Sequence, residues 1–144
     1  MSFLFLKNLG TPTSWDGTDY FGYRLSIIDK LSPALQCMTS DERYEPGGLD
    51  SFWNSWVTNA GFDGENLQLD FFNPANNKLF SFHYFGVRRI RSDYRDLRGK
   101  PSMAVQELCL LPRVDVFRHA IVSPFGKFLV VYSTSMDFSE TRVH

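Results

Sequence analysis

A chain of 144 residues, 43% hydrophobic and 22% charged, is long enough to bury a core and has the ordinary balance of a folded protein. Its net charge of −1 argues against a general polyanion binder. No run approaches the ~20 apolar residues that a membrane helix needs.

Aromatics reach 16%, with 14 Phe, 6 Tyr and 3 Trp, a composition that favours strands and large packed contacts. The opening, MSFLFLKNLG, reads as a short strand or packed arm over residues 2–6. Lys7 and Asn8 end its apolar run too early for a secretory signal. TPTSWDGTD is a loop, rich in turn formers. From Asp19 the period changes. Phe21, Leu25, Ile28, Leu31 and Leu35 recur at three- and four-residue steps, which predicts a helix. Pro33 disfavours helical geometry at Ser32, so that helix should stop near Leu31.

The stretch CMTSDERYEPGG, residues 37–48, is polar and ends in a turn. A second helix is expected after it, capped by Asp50 and closed by Gly61. Phe52, Trp53, Trp56, Val57 and Ala60 would form its packing face. The helical part thus runs over about 19–61.

Beyond Gly61 the pattern is β. NLQLDFF at 66–72 and LFSFHYF at 79–85 alternate apolar with polar, and NPANN separates them. A four-residue loop over 74–77 sets Asn73 opposite Lys78. Phe71 then faces Phe80, Leu69 faces Phe82 and Leu67 faces Tyr84, an all-apolar row that supports the register. Residues 88–101 read as a charged connection. MAVQELCLL (103–111), VFRHAIV (116–122) and KFLVVYST (127–134) follow as strands, with SPFG a turn. The polar tail, 135–144, is expected to fray.

These elements predict an α+β protein in one domain covering 1–144. Two N-terminal helices pack on one face of a twisted antiparallel sheet of about five meander strands, over about 66–134. A curled or barrel-like sheet with a helix plugging one side is the alternative. Cys37 and Cys109 do not make a disulfide framework and read as free thiols of a reducing compartment, so a cytoplasmic location is expected.

Chemistry is sparse. Nucleotide loops, HExxH, CxxC, EF-hand loops and the GxSxG elbow are all missing, so no cofactor is expected. Folding residues 103–122 about Arg113 sets Glu107 opposite His119, either as a buried brace or as a carboxylate-oriented base or ligand. His83 beside Asp70 is a candidate for metal binding, alone or with Glu107 and His119. The carboxylates Asp63, Glu65 and Asp70 read more simply as turn and strand residues.

The basic segment 88–100 holds Arg88, Arg89, Arg91, Arg95, Arg98 and Lys100 against Asp93 and Asp96, a local +4 that leaves −5 elsewhere. Its guanidiniums can bind phosphate or acidic side chains, and Tyr94 among them makes a nucleic-acid groove conceivable. The leading expectation is a non-enzymatic binding module with a protein partner or a second copy, approached through an edge formed by the last strand. A small enzyme or metal protein built on a Glu–His pair and phosphate binding by the arginines are the alternatives. Nucleic acid and membrane are not expected partners.

Overall fold

The structure, a computed structural model, describes residues 3–11, 14–45, 48–98 and 101–143. Ser2 of the opening arm, Pro46 and Gly47 of the polar turn, Lys100 of the basic segment and His144 of the tail lie outside the described residues.

The arm leads into a small two-stranded sheet, β1 (Lys7–Asn8) against β2 (Trp15–Asp16). Helix α1 (Thr18–Ile27) follows, then a 3-10 turn at Ile28–Lys30. The expected stop near Leu31 is met, but Pro33 has a second role. It stands in the first turn of α2 (Pro33–Met38), where its missing N–H is no loss. Ser32 caps that helix, its hydroxyl accepting from Leu35 N at 3.2 Å. Another 3-10 turn occupies Asp41–Tyr44.

The helix expected between Asp50 and Gly61 is instead strand β3 (Ser55–Asp63). The apolar spacing there fits both periods. Ser55 and Val57 are buried while Trp56 and Thr58 are exposed, the two-residue alternation of a strand. Asn54 turns the chain into β3 with a positive φ of 63°. Phe52 alone of the proposed helical face reaches full burial before the strand begins. Trp56 meets Phe72 edge to face on the outer side.

Six further strands complete the main sheet: β4 (Asn66–Asn73), β5 (Lys78–Ser92), β6 (Ser102–Met103), β7 (Val105–Leu111), β8 (Val116–Val122) and β9 (Phe128–Arg142). The order is β6-β3-β4-β5-β9-β8-β7, seven antiparallel strands rather than about five. The β4–β5 hairpin takes the expected register, Asn73 to Lys78 through Leu67 to Tyr84. Two expectations fail on length. The charged connection begins as strand, because β5 runs on to Ser92, and the polar tail is strand to Arg142. Each supplies the other's hydrogen bonds, from Lys78↔Arg142 to Ser92↔Leu129. Backbone pairing against a long neighbour overrides a polar composition.

Bulges between Val57 and Asn59 and between Val87 and Arg89 curl the sheet. Its inner face holds Leu67, Leu69, Phe71, Phe80, Phe82, Phe138, Leu108 and Val131, closed by Ile27, Leu31, Leu35 and Met38. A second cluster covers the outer face of β7, β8 and the start of β9, with Phe3 and Leu6 of the arm on Val105, Ala120, Val122 and Val130.

Candidate functional sites

The β7–β8 hairpin pairs Glu107 with Ala120 and Leu108 with His119. This is one residue away from the expected register, and a one-residue slip sends the two side chains to opposite faces. The Glu107–His119 pair therefore does not form, and each residue has a separate role.

His119 points inward and is fully enclosed. Gln106 Nε2 donates to Met38 O at 2.9 Å, so the amide oxygen faces His119 Nε2 at 2.6 Å. Nε2 must then carry the proton, and Nδ1 accepts from the Tyr84 hydroxyl at 2.7 Å. Burial lowers the imidazole pKa to about 3, so the ring is neutral. Burial likewise pushes the Tyr84 phenol well up. The chain Tyr84–His119–Gln106–Met38 is a saturated brace with no room for a substrate.

Glu107 points outward and is also wholly buried. Its carboxylate accepts three consecutive backbone N–H groups of the arm, Leu4 at 2.8 Å, Phe5 at 2.8 Å and Leu6 at 2.9 Å. Arg118 Nη1 stands 3.6 Å from Oε1. The Cys109 thiol is 3.5 Å from the same oxygen, and burial with that neighbour raises its pKa. Glu107 is the clasp of the arm. Sequence alone gave no sign of this, because the partners are backbone groups about a hundred positions away.

The two edges of the sheet differ sharply. At β7, Tyr44 donates to Gln106 O at 2.5 Å. Tyr20 donates to Leu108 O and accepts from Leu108 N at 3.0 Å, and Tyr23 does the same at Leu110, accepting at 2.8 Å. These hydroxyls occupy outward backbone groups at every second residue, which closes the edge. Burial raises the pKa of all three phenols. At the other end β6 covers only Ser55 and Trp56 of β3, and Val57 N bonds Pro101 O at 2.9 Å. Residues 58–63 have no strand on their far side among the described residues. The last strand, expected as an edge, lies instead between β5 and β8.

The arginines divide. Arg88, Arg89 and Arg91 project from β5, whereas Arg95 and Arg98 sit in the loop beyond it, and all five are exposed. Asp93 accepts from Phe128 N at 2.8 Å, and Asp96 holds Arg98. Two clefts flank this loop. One, of about 640 Å³, is lined by Tyr94, Arg95, Ser102, Ser123, Phe125 and Lys127. The other, of about 350 Å³, lies between Arg95–Arg98 and Ala60, Gly61 and Phe62 of β3. On the open outer face His83 lies opposite Gln68 and Asp137. Asp70 is engaged by Asn59 at 3.2 Å and Gln68 at 3.0 Å, not by His83. No group of three or more His, Cys, Asp or Glu suited to a metal ion occurs among the described residues.

Fold and site together define an α+β protein with a curled seven-stranded antiparallel sheet, sealed at one edge and open at the other. No helix among the described residues is long and apolar enough to cross a membrane. No family model matches the chain, and no curated protein matches it.

Proposed function

We propose that this protein is a non-enzymatic, cytoplasmic interaction module that captures an extended acidic segment of a protein partner along the open edge of β3. The observation that carries the reading is the contrast between the edges. One is closed by three tyrosine hydroxyls, and the other leaves residues 58–63 beside a cleft. An open edge offers a row of backbone donors and acceptors to an incoming strand. Phe62, 59% exposed, supplies an apolar contact, and Arg95 across the cleft supplies charge for a carboxylate. Five arginines against two aspartates over residues 88–98 favour an acidic partner. The free Cys37 and Cys109 fit a reducing compartment. Glu107 and His119 support no catalytic role, since both are wholly engaged in internal bonds.

The test is fluorescence anisotropy with a labelled eight-residue peptide of alternating Glu and Val. Binding at low salt that is lost in Phe62→Glu and in Arg95→Glu is expected. Absence of binding, or binding indifferent to both variants, refutes the reading. Native mass spectrometry on the free protein checks the other occupant, since a second copy on β3 would give a dimer that Phe62→Glu dissociates.

A further inference from the structure

Arginines on two neighbouring strands flank Tyr132, away from the β3 edge. Arg89 on β5, Tyr132 on β9 and Arg118 on β8 lie in register across three adjacent strands. Arg118 donates from Nε to the Tyr132 hydroxyl at 3.3 Å, and its guanidinium lies 5.9 Å from the ring centroid. Arg91, one row further along β5 opposite Val130, lies on the same face and its positive charge bears on the Tyr132 phenol. Arg118 is buried, whereas Arg89 and Arg91 are exposed and Tyr132 is half-buried, so the cluster opens to solvent on one side.

The charges there are unequal. Glu107, the carboxylate beside Arg118, is spent on the backbone of the arm and on Arg118, and Asp93, two residues beyond Arg91, accepts from Phe128 N. Arg89 and Arg91 form no ion pair among the described residues. The donor count is unequal too. The phenol oxygen receives the Arg118 Nε–H, and a guanidinium cannot accept in return, so its own O–H has to find an acceptor elsewhere, and none stands on it among the described residues. Partial burial pushes the Tyr132 pKa up, but Arg118 and Arg91 outweigh it, leaving it below the ordinary tyrosine value.

We infer that Arg89, Arg91 and Tyr132 form a surface site for a phosphoryl group, backed by the buried Arg118. An oxyanion with several acceptor oxygens can take the phenol O–H and the outward N–H groups of both exposed guanidiniums together. A single carboxylate satisfies fewer of them. This site is independent of the β3 edge, and the two can fail separately.

The experiment is a thermal-shift titration with inorganic phosphate against sodium chloride at matched ionic strength. A phosphoserine hexapeptide and its unphosphorylated form are run in parallel. Phosphate is expected to raise the midpoint by several degrees beyond chloride once well above its dissociation constant. The extra shift should vanish in Arg91→Gln and Tyr132→Phe and persist in Arg95→Gln. A stronger response to the phosphopeptide than to phosphate assigns the group to a modified protein, and the reverse assigns it to a free phosphate compound. A wild-type shift no larger than that of chloride, or one that survives Arg91→Gln, overturns the inference. Arg91 is exposed, so its variant folds.

Discussion

Replacing Glu107 with Gln changes one atom and tests the clasp directly. The carboxylate holds three N–H donors on two oxygens, with Oε1 serving Leu4 and Oε2 serving Phe5 and Leu6. Glutamine keeps a single oxygen. In its better orientation that oxygen serves Phe5 and Leu6, and the amide NH2 then faces the Leu4 N–H and the Arg118 guanidinium, donor against donor. Hydrogen bonds to a charged group contribute roughly 1.5–3 kcal/mol each. Stripping one partner from a buried ion pair costs about 3–5 kcal/mol. The two overlap here, because Arg118 keeps Tyr132, so the whole loss should be about 3–5 kcal/mol. The arm has a second escape, which is to detach. That exposes Phe3 and Leu6, at roughly 1.5–3 kcal/mol per side chain, a loss of the same size. With an unfolding entropy near 2.1 cal/mol/K per residue over 144 residues, the melting midpoint should fall by about 10–17 °C. Calorimetry measures the midpoint, and amide hydrogen exchange at Leu4, Phe5 and Leu6 shows which route is taken. A midpoint within 1–2 °C of wild type together with unchanged exchange at those amides would refute the clasp.

His119 predicts a specific acid sensitivity. Its folded pKa, about 3, lies below the ordinary 6.5 of an unfolded histidine. The unfolded chain therefore takes up the proton first as pH falls. The stabilisation is complete above about pH 6.5, declines below it, and is gone once pH passes the folded value. At pH 5 the loss is about 2 kcal/mol. Urea midpoints measured from pH 7.5 to pH 5 should show this slope in wild type and not in His119→Gln; equal slopes sink the assignment. Arg43 should resist conservative replacement. It donates to Cys37 O and Asp50 O at 3.1 Å and to Glu140 at 2.7 Å, and its guanidinium lies against Phe52, Phe80 and Phe138. Arg43→Lys cannot match that planar fork and should lose about 2–4 kcal/mol by chemical denaturation; a loss under 0.5 kcal/mol would contradict the packing role. Removing the hydroxyls of Tyr20 and Tyr23 together by Phe substitution should reopen the β7 edge. Faster exchange at Leu108 N and Leu110 N and concentration-dependent association are expected, and a monomer with unaltered exchange would show that the hydroxyls do not guard the edge.

Local information carried much of the β half. The 66–85 hairpin was legible because alternation, a four-residue turn and an all-apolar cross-strand row agree on a single register. A helix beginning near Asp19 was legible from its three- and four-residue spacing, but not the face it buries: Leu25 of the expected stripe is 69% exposed, and Tyr20 and Ile27 are the buried residues of α1. Where two periods fit the same residues, local spacing does not decide between helix and strand. Residues 52–60 satisfy helical spacing, and only pairing with β4 makes them a strand. Pro33 ended a helix as expected, but only the path of the chain shows that it also begins the next.

The candidate site was less legible still. The arginines and the Glu–His hairpin were visible as residue types, but their roles depend on register and on distant partners. A shift of one residue in the β7–β8 loop separates Glu107 from His119. It hands one to the backbone of the arm and the other to Tyr84 and Gln106. Tyr20 and Tyr23, three apart on α1, could have been noticed as two hydroxyls on one helical face, but not as guards of β7 eighty-eight and eighty-seven positions away. The sequence by itself determined the α+β class, the hairpins and the basic segment, because these follow from short-range periods and charge. Tertiary structure alone decided which edge is sealed, which strand is central and which polar groups meet, because those outcomes rest on pairings between segments far apart in the chain, where a single-residue slip reverses every side chain.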